Sequence, residues 1–186
     1  MSRVAGLVLA AGGGRRFGGP KAVVELEGER LVDRAVRALA EGGCAPVVVV
    51  SGAVPLEVPD AIVVDNPTWQ TGMASSLRVG VGALPQDAVA VVLALVDTPW
   101  VGRESVRRLI RAHEEGAGVA VATYGGVRGR PVLLGRSHWA AALASAHGDR
   151  GAREFLATRP DLVVEVPCDG TGDPRDVDRL EDLSAG

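Results

Sequence analysis

Apolar residues in this chain gather into short unbroken runs, rich in β-branched side chains, over 4–11, 46–51, 61–65, 89–96, 118–124, 131–134 and 162–166. An alternating pattern would mark strands with one wet face; continuous runs predict strands covered on both faces, as in parallel sheets. Helical spacing fills the intervals, with Leu31, Ala35, Ala38 and Leu39 on one face of 31–39 and Val106, Leu109 and Ile110 on one face of 105–112. Further helices are predicted over 74–83, 138–146, 151–157 and 176–183. The alternation predicts an α/β fold, a three-layer α/β/α sandwich around a mostly parallel sheet. Folds of this kind place ligands beyond the carboxyl ends of their strands. No repeat, linker or low-complexity tract interrupts 1–186, so one domain is expected.

Composition narrows the function. Hydrophobic residues at 47% and charged residues at 23% are ordinary for a folded domain. A net charge of -3 and 3% aromatic residues offer neither the basic field nor the stacking surface that nucleic acids need, so no nucleic-acid partner is expected. No run approaches the ~18 apolar residues of a membrane span, and the opening apolar run lacks the form of a signal peptide. A cytoplasmic protein without a membrane partner is the expectation. Cys44 and Cys168 stand far apart without a C-x-x-C pair and read as packing residues.

The first strand runs into LAAGGGRRFGGPK over 9–21. Gly12, Gly13 and Gly14 allow positive φ and bring backbone N–H groups close to a ligand, an arrangement suited to phosphate, while Arg16 and Lys21 add positive charge. Lys21 is the only lysine in the chain. Two common phosphate loops do not fit: Ala22 stands where the P-loop needs Ser or Thr, and Phe17 where a dinucleotide loop begun at Gly12 needs glycine. Taken alone, the loop reads equally well as an ordinary glycine-rich strand exit.

The pattern formed by Leu9, Ala11, Gly12, Arg16, Gly18 and Lys21 resembles the signature of nucleotidyltransferases with a GT-A-like, Rossmann-like fold, in particular the molybdenum cofactor cytidylyltransferases and guanylyltransferases (the MobA/MocA-like group). The resemblance implies that the loop wraps a nucleoside triphosphate and that Arg16 and Lys21 neutralise it.

Three further blocks extend the likeness. NPTWQTGMASSL over 66–77 holds the only asparagine, Asn66, with Gly72, Ser75 and Ser76. By chemistry it is a turn and helix cap or an anion site; by resemblance these four residues lie against the nucleotide. The strand at 92–96 ends in Asp97, followed by Thr98 and Pro99. Asp97 can cap the turn or hold a hard cation; the resemblance makes it the Mg²⁺ ligand. In DPRDVDRLEDL over 173–183 the acids suit a helix start, while the resemblance brings Asp178 into the metal shell, with Arg179 where the family has threonine. GRP over 129–131 and GDRGAR over 148–153 are similar to segments on the family's acceptor side, Arg130 replacing a histidine. His113, His138 and His147 have no metal-ligand spacing.

The resemblance implies a Mg²⁺-dependent enzyme in which a phosphate acceptor, molybdopterin, attacks the α-phosphorus of CTP, or secondly GTP, and pyrophosphate leaves. Arg16, Lys21 and Asp97 carry the catalysis by positioning and charge neutralisation. Contact with a molybdoenzyme or chaperone belongs to the same expectation. A nicotinamide-dependent oxidoreductase of this group and a silent nucleotide-binding homologue are the alternatives.

Overall fold

The computed structural model describes residues 3–184; positions 1–2 and 185–186, the ends of the expected domain, lie outside them. Among the described residues, nine strands and five α-helices follow one another. The main sheet is built from β1 (Arg3–Leu9), β4 (Val47–Ser51), β5 (Ile62–Asp65), β6 (Ala88–Leu95), β7 (Val119–Tyr124), β8 (Val127–Gly135) and β9 (Val163–Pro167). Its order is β5-β4-β1-β6-β8-β7-β9. Strands β5, β4, β1 and β6 run parallel, so their carboxyl ends meet along one edge.

Because the central strands are apolar at successive positions, each supplies both faces. Along β1, Ala5, Leu7 and Leu9 enter one core cluster, while Val4 and Val8 enter the other. Helices α1 (Leu31–Glu41) and α3 (Arg103–Glu114) cover the Val8 face through Val32, Val36, Leu39, Val106 and Leu109. Helices α2 (Met73–Gly82), α4 (Trp139–Ser145) and α5 (Arg153–Thr158) cover the Leu7 face through Leu77, Trp139, Ala142 and Phe155. Gly6 lets α1 close on the sheet, since a Cβ there would stand 2.9 Å from the Leu39 side chain. Both cysteines are free and buried; burial pushes the Cys44 thiol up to about 12, as suits a packing residue.

The structure departs from the pattern in three places. Strand β8 is antiparallel to both β6 and β7 and begins four residues before the apolar run, because Arg128 and Arg130 belong to its polar end. A short hairpin of β2 (Glu25–Leu26) and β3 (Glu29–Arg30) precedes α1, too brief and polar to show as a run. The helix expected over 176–183 does not form; a 3₁₀ turn occupies Leu180–Ser184, and an extended strap precedes it. Strap amides are committed elsewhere: Asp173 N–H donates to the Trp100 carbonyl at 3.2 Å and Val177 N–H to the Asp97 carbonyl at 2.7 Å. Carboxylates compete for the rest, Asp173 accepting from the Arg175 amide and Asp182 from those of Asp178 and Arg179.

Candidate active site

A cleft of about 430 Å³ opens at the carboxyl ends of β1 and β6, a size suited to a small-molecule ligand. Leu9, Ala11, Gly12, Gly13, Gly14, Arg16, Lys21, Gly72, Ser76, Asp97 and Asp178 line it. Four stretches remote in sequence thus converge on one cavity.

The loop after β1 is tied at its root and closed at its tip. Ala10 N–H donates to the Val50 carbonyl and the Ala11 carbonyl accepts from Ala53, both at 3.0 Å, so the chain leaves the sheet along β4. At the tip the Gly14 carbonyl accepts from Gly18 and Gly19 at 2.9 and 3.1 Å. Gly14 has φ +62°, and a Cβ there would collide with the Gly19 backbone, so the turn requires glycine. The amides of Gly12 and Gly13 donate to no backbone carbonyl among the described residues, which leaves them available to ligand oxygens. Trp69 closes over this root, its ring 3.0 Å from where a Gly13 Cβ would stand.

Charges are arranged around the end of β6. Lys21 Nζ lies 3.4 Å from the Asp178 carboxylate. The strap is pinned by the Val177 amide on the Asp97 carbonyl and by the fully buried Val177 side chain, and this brings Asp178 to the cleft and Asp176 into the field of Asp97. Burial raises the Asp97 carboxyl above its ordinary value and nearby Asp176 adds to the rise, while Lys21 and Arg130 oppose it. Its Oδ1 is sealed from solvent and has no hydrogen-bond partner. An orphaned, negatively charged oxygen beside a second carboxylate fits a hard divalent cation. Among the described residues no group of three or more His, Cys, Asp or Glu forms a cage. Such a cation would take most of its shell from water and phosphate, as Mg²⁺ does.

Two expected nucleotide residues, Asn66 and Ser75, do not line the cleft. Asn66 is fully buried. Its amide donates to the Ser75 and Ser76 hydroxyls, both at 2.9 Å, and its carbonyl oxygen accepts from the Thr68 amide and hydroxyl at 3.1 and 3.0 Å. All its capacity is spent on shaping the turn before α2, so Asn66 positions the wall without touching the cavity. Ser75 Oγ likewise donates to the Gly72 carbonyl at 2.8 Å. Gly72 earns its place by close approach, for a Cβ there would meet the Gly148 backbone at 2.5 Å.

Several contributors went unread in the sequence. Trp69, Gln70 and Met73 line the cleft from inside the block at 66–77, and Arg15 and Asp149 join them. Asp176 is near enough to act on Asp97. Its signal was present as the second acid in DPRDVD, which helix-dipole reasoning explained away.

Comparison with known proteins agrees with this geometry. The model of the family described as MobA-like NTP transferase domain matches residues 6–164. Nicotine blue oxidoreductase of Paenarthrobacter nicotinovorans is 35% identical over 97% of this chain and 94% of its own. A probable molybdenum cofactor guanylyltransferase of Opitutus terrae is 35% identical over 64% of this chain and 60% of its own. Among solved structures, Rv0371c of Mycobacterium tuberculosis H37Rv superposes with a TM-score of 0.85 at 26% identity, covering 98% of this chain and 96% of that one. A second structure of that protein, in complex with manganese, gives 0.77 at 26% identity over the same shares. With most of its length matched by the family model and its overall fold shared with Rv0371c, the chain belongs to the MobA-like NTP transferase family.

Proposed function

We propose that the protein is a Mg²⁺-dependent nucleotidyltransferase that moves a nucleoside monophosphate from CTP, or GTP, to a phosphate-bearing acceptor such as molybdopterin. The observation that carries this reading is the unpartnered Asp97 Oδ1 beside Lys21 in a glycine-walled cleft. One buried carboxylate oxygen with nothing to bond, near loop amides that bond no backbone carbonyl, calls for a cation and a polyphosphate together.

In this reading Arg16, Lys21 and the amides of Gly12 and Gly13 bind the triphosphate and draw negative charge towards the leaving pyrophosphate. Arg16 has no hydrogen bond or ion pair among the described residues, so its charge is uncommitted. Asp97 and Asp178 would hold the cation, which supplies charge neutralisation at the transferred phosphoryl group. The acceptor phosphate is already ionised, so no side chain needs to remove a proton. Trp69 and Met73 supply apolar wall, and the Asn66 network fixes the turn that carries them.

The oxidoreductase name borne by the relative from Paenarthrobacter nicotinovorans favours a second reading, reduction with a nicotinamide cofactor. Against it stand the carboxylates of Asp97, Asp149 and Asp178 lining the cleft, which would repel a dinucleotide pyrophosphate unless a cation lay between them. Incubation with CTP or GTP, Mg²⁺ and molybdopterin tests the proposal. Pyrophosphate release in step with nucleotidylated acceptor supports it; oxidation of NADPH without pyrophosphate release would establish the second reading.

A further inference from the structure

The strap that brings Asp178 to the cleft sends its next residue the other way. Asp178 lines the cleft, whereas Arg179 lines a second, open groove of about 830 Å³ together with Arg16, Phe17, Leu180, Glu181 and Ser184. Successive side chains of an extended segment point to opposite sides, so two neighbouring residues serve two cavities. Arg16 lines both, and the groove therefore meets the cleft at the glycine loop.

The placing of Arg179 is built into the main chain. Its amide N–H and that of Asp178 each donate to one oxygen of the Asp182 carboxylate at 2.8 Å, which ties the start of the final 3₁₀ turn to the strap. Val177, fully buried just before, anchors the same stretch. Those two amides hold the Asp182 carboxyl below the ordinary range; the Arg179 guanidinium adds its field but stands beyond ion-pair distance. Its donors thus make no hydrogen bond or ion pair among the described residues, and those of Arg16 are in the same condition.

Water can satisfy an exposed guanidinium, so a missing partner alone decides nothing. What decides is the charge balance along the loop. Arg16 and Arg179 face the groove against one carboxylate, Glu181, while the cleft on the other side of Arg16 holds Asp97, Asp149 and Asp178. A polyphosphate whose cation sits at Asp97 is neutralised at that end. Its terminal phosphoryl group, close to doubly charged at neutral pH, needs positive charge further along. A guanidinium suits this task because its planar fork binds phosphate through two parallel hydrogen bonds and stays charged at any working pH.

We infer that Arg179, sharing the groove with Arg16, holds the terminal phosphate of the bound triphosphate. The inference deepens the transferase reading and rests on it: Arg179 then favours triphosphates over diphosphates and steadies the pyrophosphate as it leaves.

Calorimetric titration of CTP and CDP, and of GTP and GDP, each with Mg²⁺, tests it in wild type, Arg179→Ala and Arg179→Lys. The wild type binds one triphosphate more tightly than the matching diphosphate. Arg179→Ala weakens that triphosphate roughly tenfold and leaves the diphosphate within about twofold, and Arg179→Lys restores part of the loss, as removal of one charge-assisted contact predicts. Arg179 is exposed and its amide bond to Asp182 survives substitution, so the variants keep the fold, which circular dichroism checks. Equal affinity of the wild type for triphosphate and diphosphate, equal weakening of both by Arg179→Ala, or no weakening of either overturns the inference. If no triphosphate binds the wild type, the transferase reading itself fails, and inorganic pyrophosphate with Mg²⁺ decides the groove. A roughly tenfold loss in Arg179→Ala then upholds an anion site there, whereas equal or absent binding overturns it.

Discussion

A carboxylate oxygen removed from water without a hydrogen bond is costly to keep ionised, and Asp97 Oδ1 is in that condition. Since the folded protein raises this carboxyl above its ordinary value, through burial first and Asp176 second, the fold binds its proton more tightly than the unfolded chain does. The associated stability is full below the ordinary carboxylate range and is lost as pH rises through the elevated value. Asp97→Asn should therefore stabilise metal-free protein at neutral pH by about 1 kcal/mol, seen as a raised denaturation midpoint, while abolishing the response to Mg²⁺ and nucleotide. Metal affinity in the wild type should fall as acidification protonates Asp97, at a pH above that typical of exposed aspartates. Lys21→Ala removes one preorganised charge and should lower turnover roughly 10²–10³-fold in a pyrophosphate-release assay, with the melting temperature little changed. Asn66→Ala, by contrast, should cost about 2 kcal/mol of stability by stranding partners around Thr68 and Ser76. Lys21 and Asp97 stand out in the sequence because one is the only lysine, in a glycine-rich loop that resembles a family signature, and the other follows a strand; both line the cleft. Asn66 was misread because a solitary amide in a loop looks alike whether it faces a ligand or its own serines.

At the scale of elements, the strap between β9 and the final 3₁₀ turn completes the site. It is extended because the Val177 amide bonds the Asp97 carbonyl and the Val177 side chain is fully buried, which places Asp178 on Lys21 and Asp176 near Asp97. Val177→Asp should detach the strap and weaken Mg²⁺-nucleotide binding about tenfold in an equilibrium titration, with the sheet retained by circular dichroism. Local sequence favoured a helix here, since acids near a predicted start fit the dipole; tertiary bonds to Trp100 and Asp97 won. The reversal of β8 was hidden for a related reason. A strand buried on both faces has the same continuous apolar run in either direction, and only its partners decide.

In the whole molecule, a chain of net charge -3 gathers Arg15, Arg16 and Lys21 at one end of its sheet, where they line the cleft opposite the carboxylates Asp97, Asp149 and Asp178. A balanced set of this kind suits a polyanion that arrives with a divalent cation. The three-layer architecture was readable from periodicity because its strands are sealed on both faces; the position of the site followed, since parallel strands end together. Trp69 and Met73 belong to the block at 66–77 that the resemblance puts against the nucleotide, but packing alone decides which of its side chains face the cleft. The central claim is that a triphosphate rests in the glycine loop, balanced by Lys21 and by a cation on Asp97. Thermal denaturation of wild type, Lys21→Ala and Asp97→Asn with CTP or GTP, each with and without Mg²⁺, tests it most directly. At ~100 times the dissociation constant, one triphosphate with Mg²⁺ should stabilise the wild type by about 2.7 kcal/mol, and both variants should lose most of that gain. Equal stabilisation of all three proteins, or stabilisation indifferent to Mg²⁺, would contradict the account.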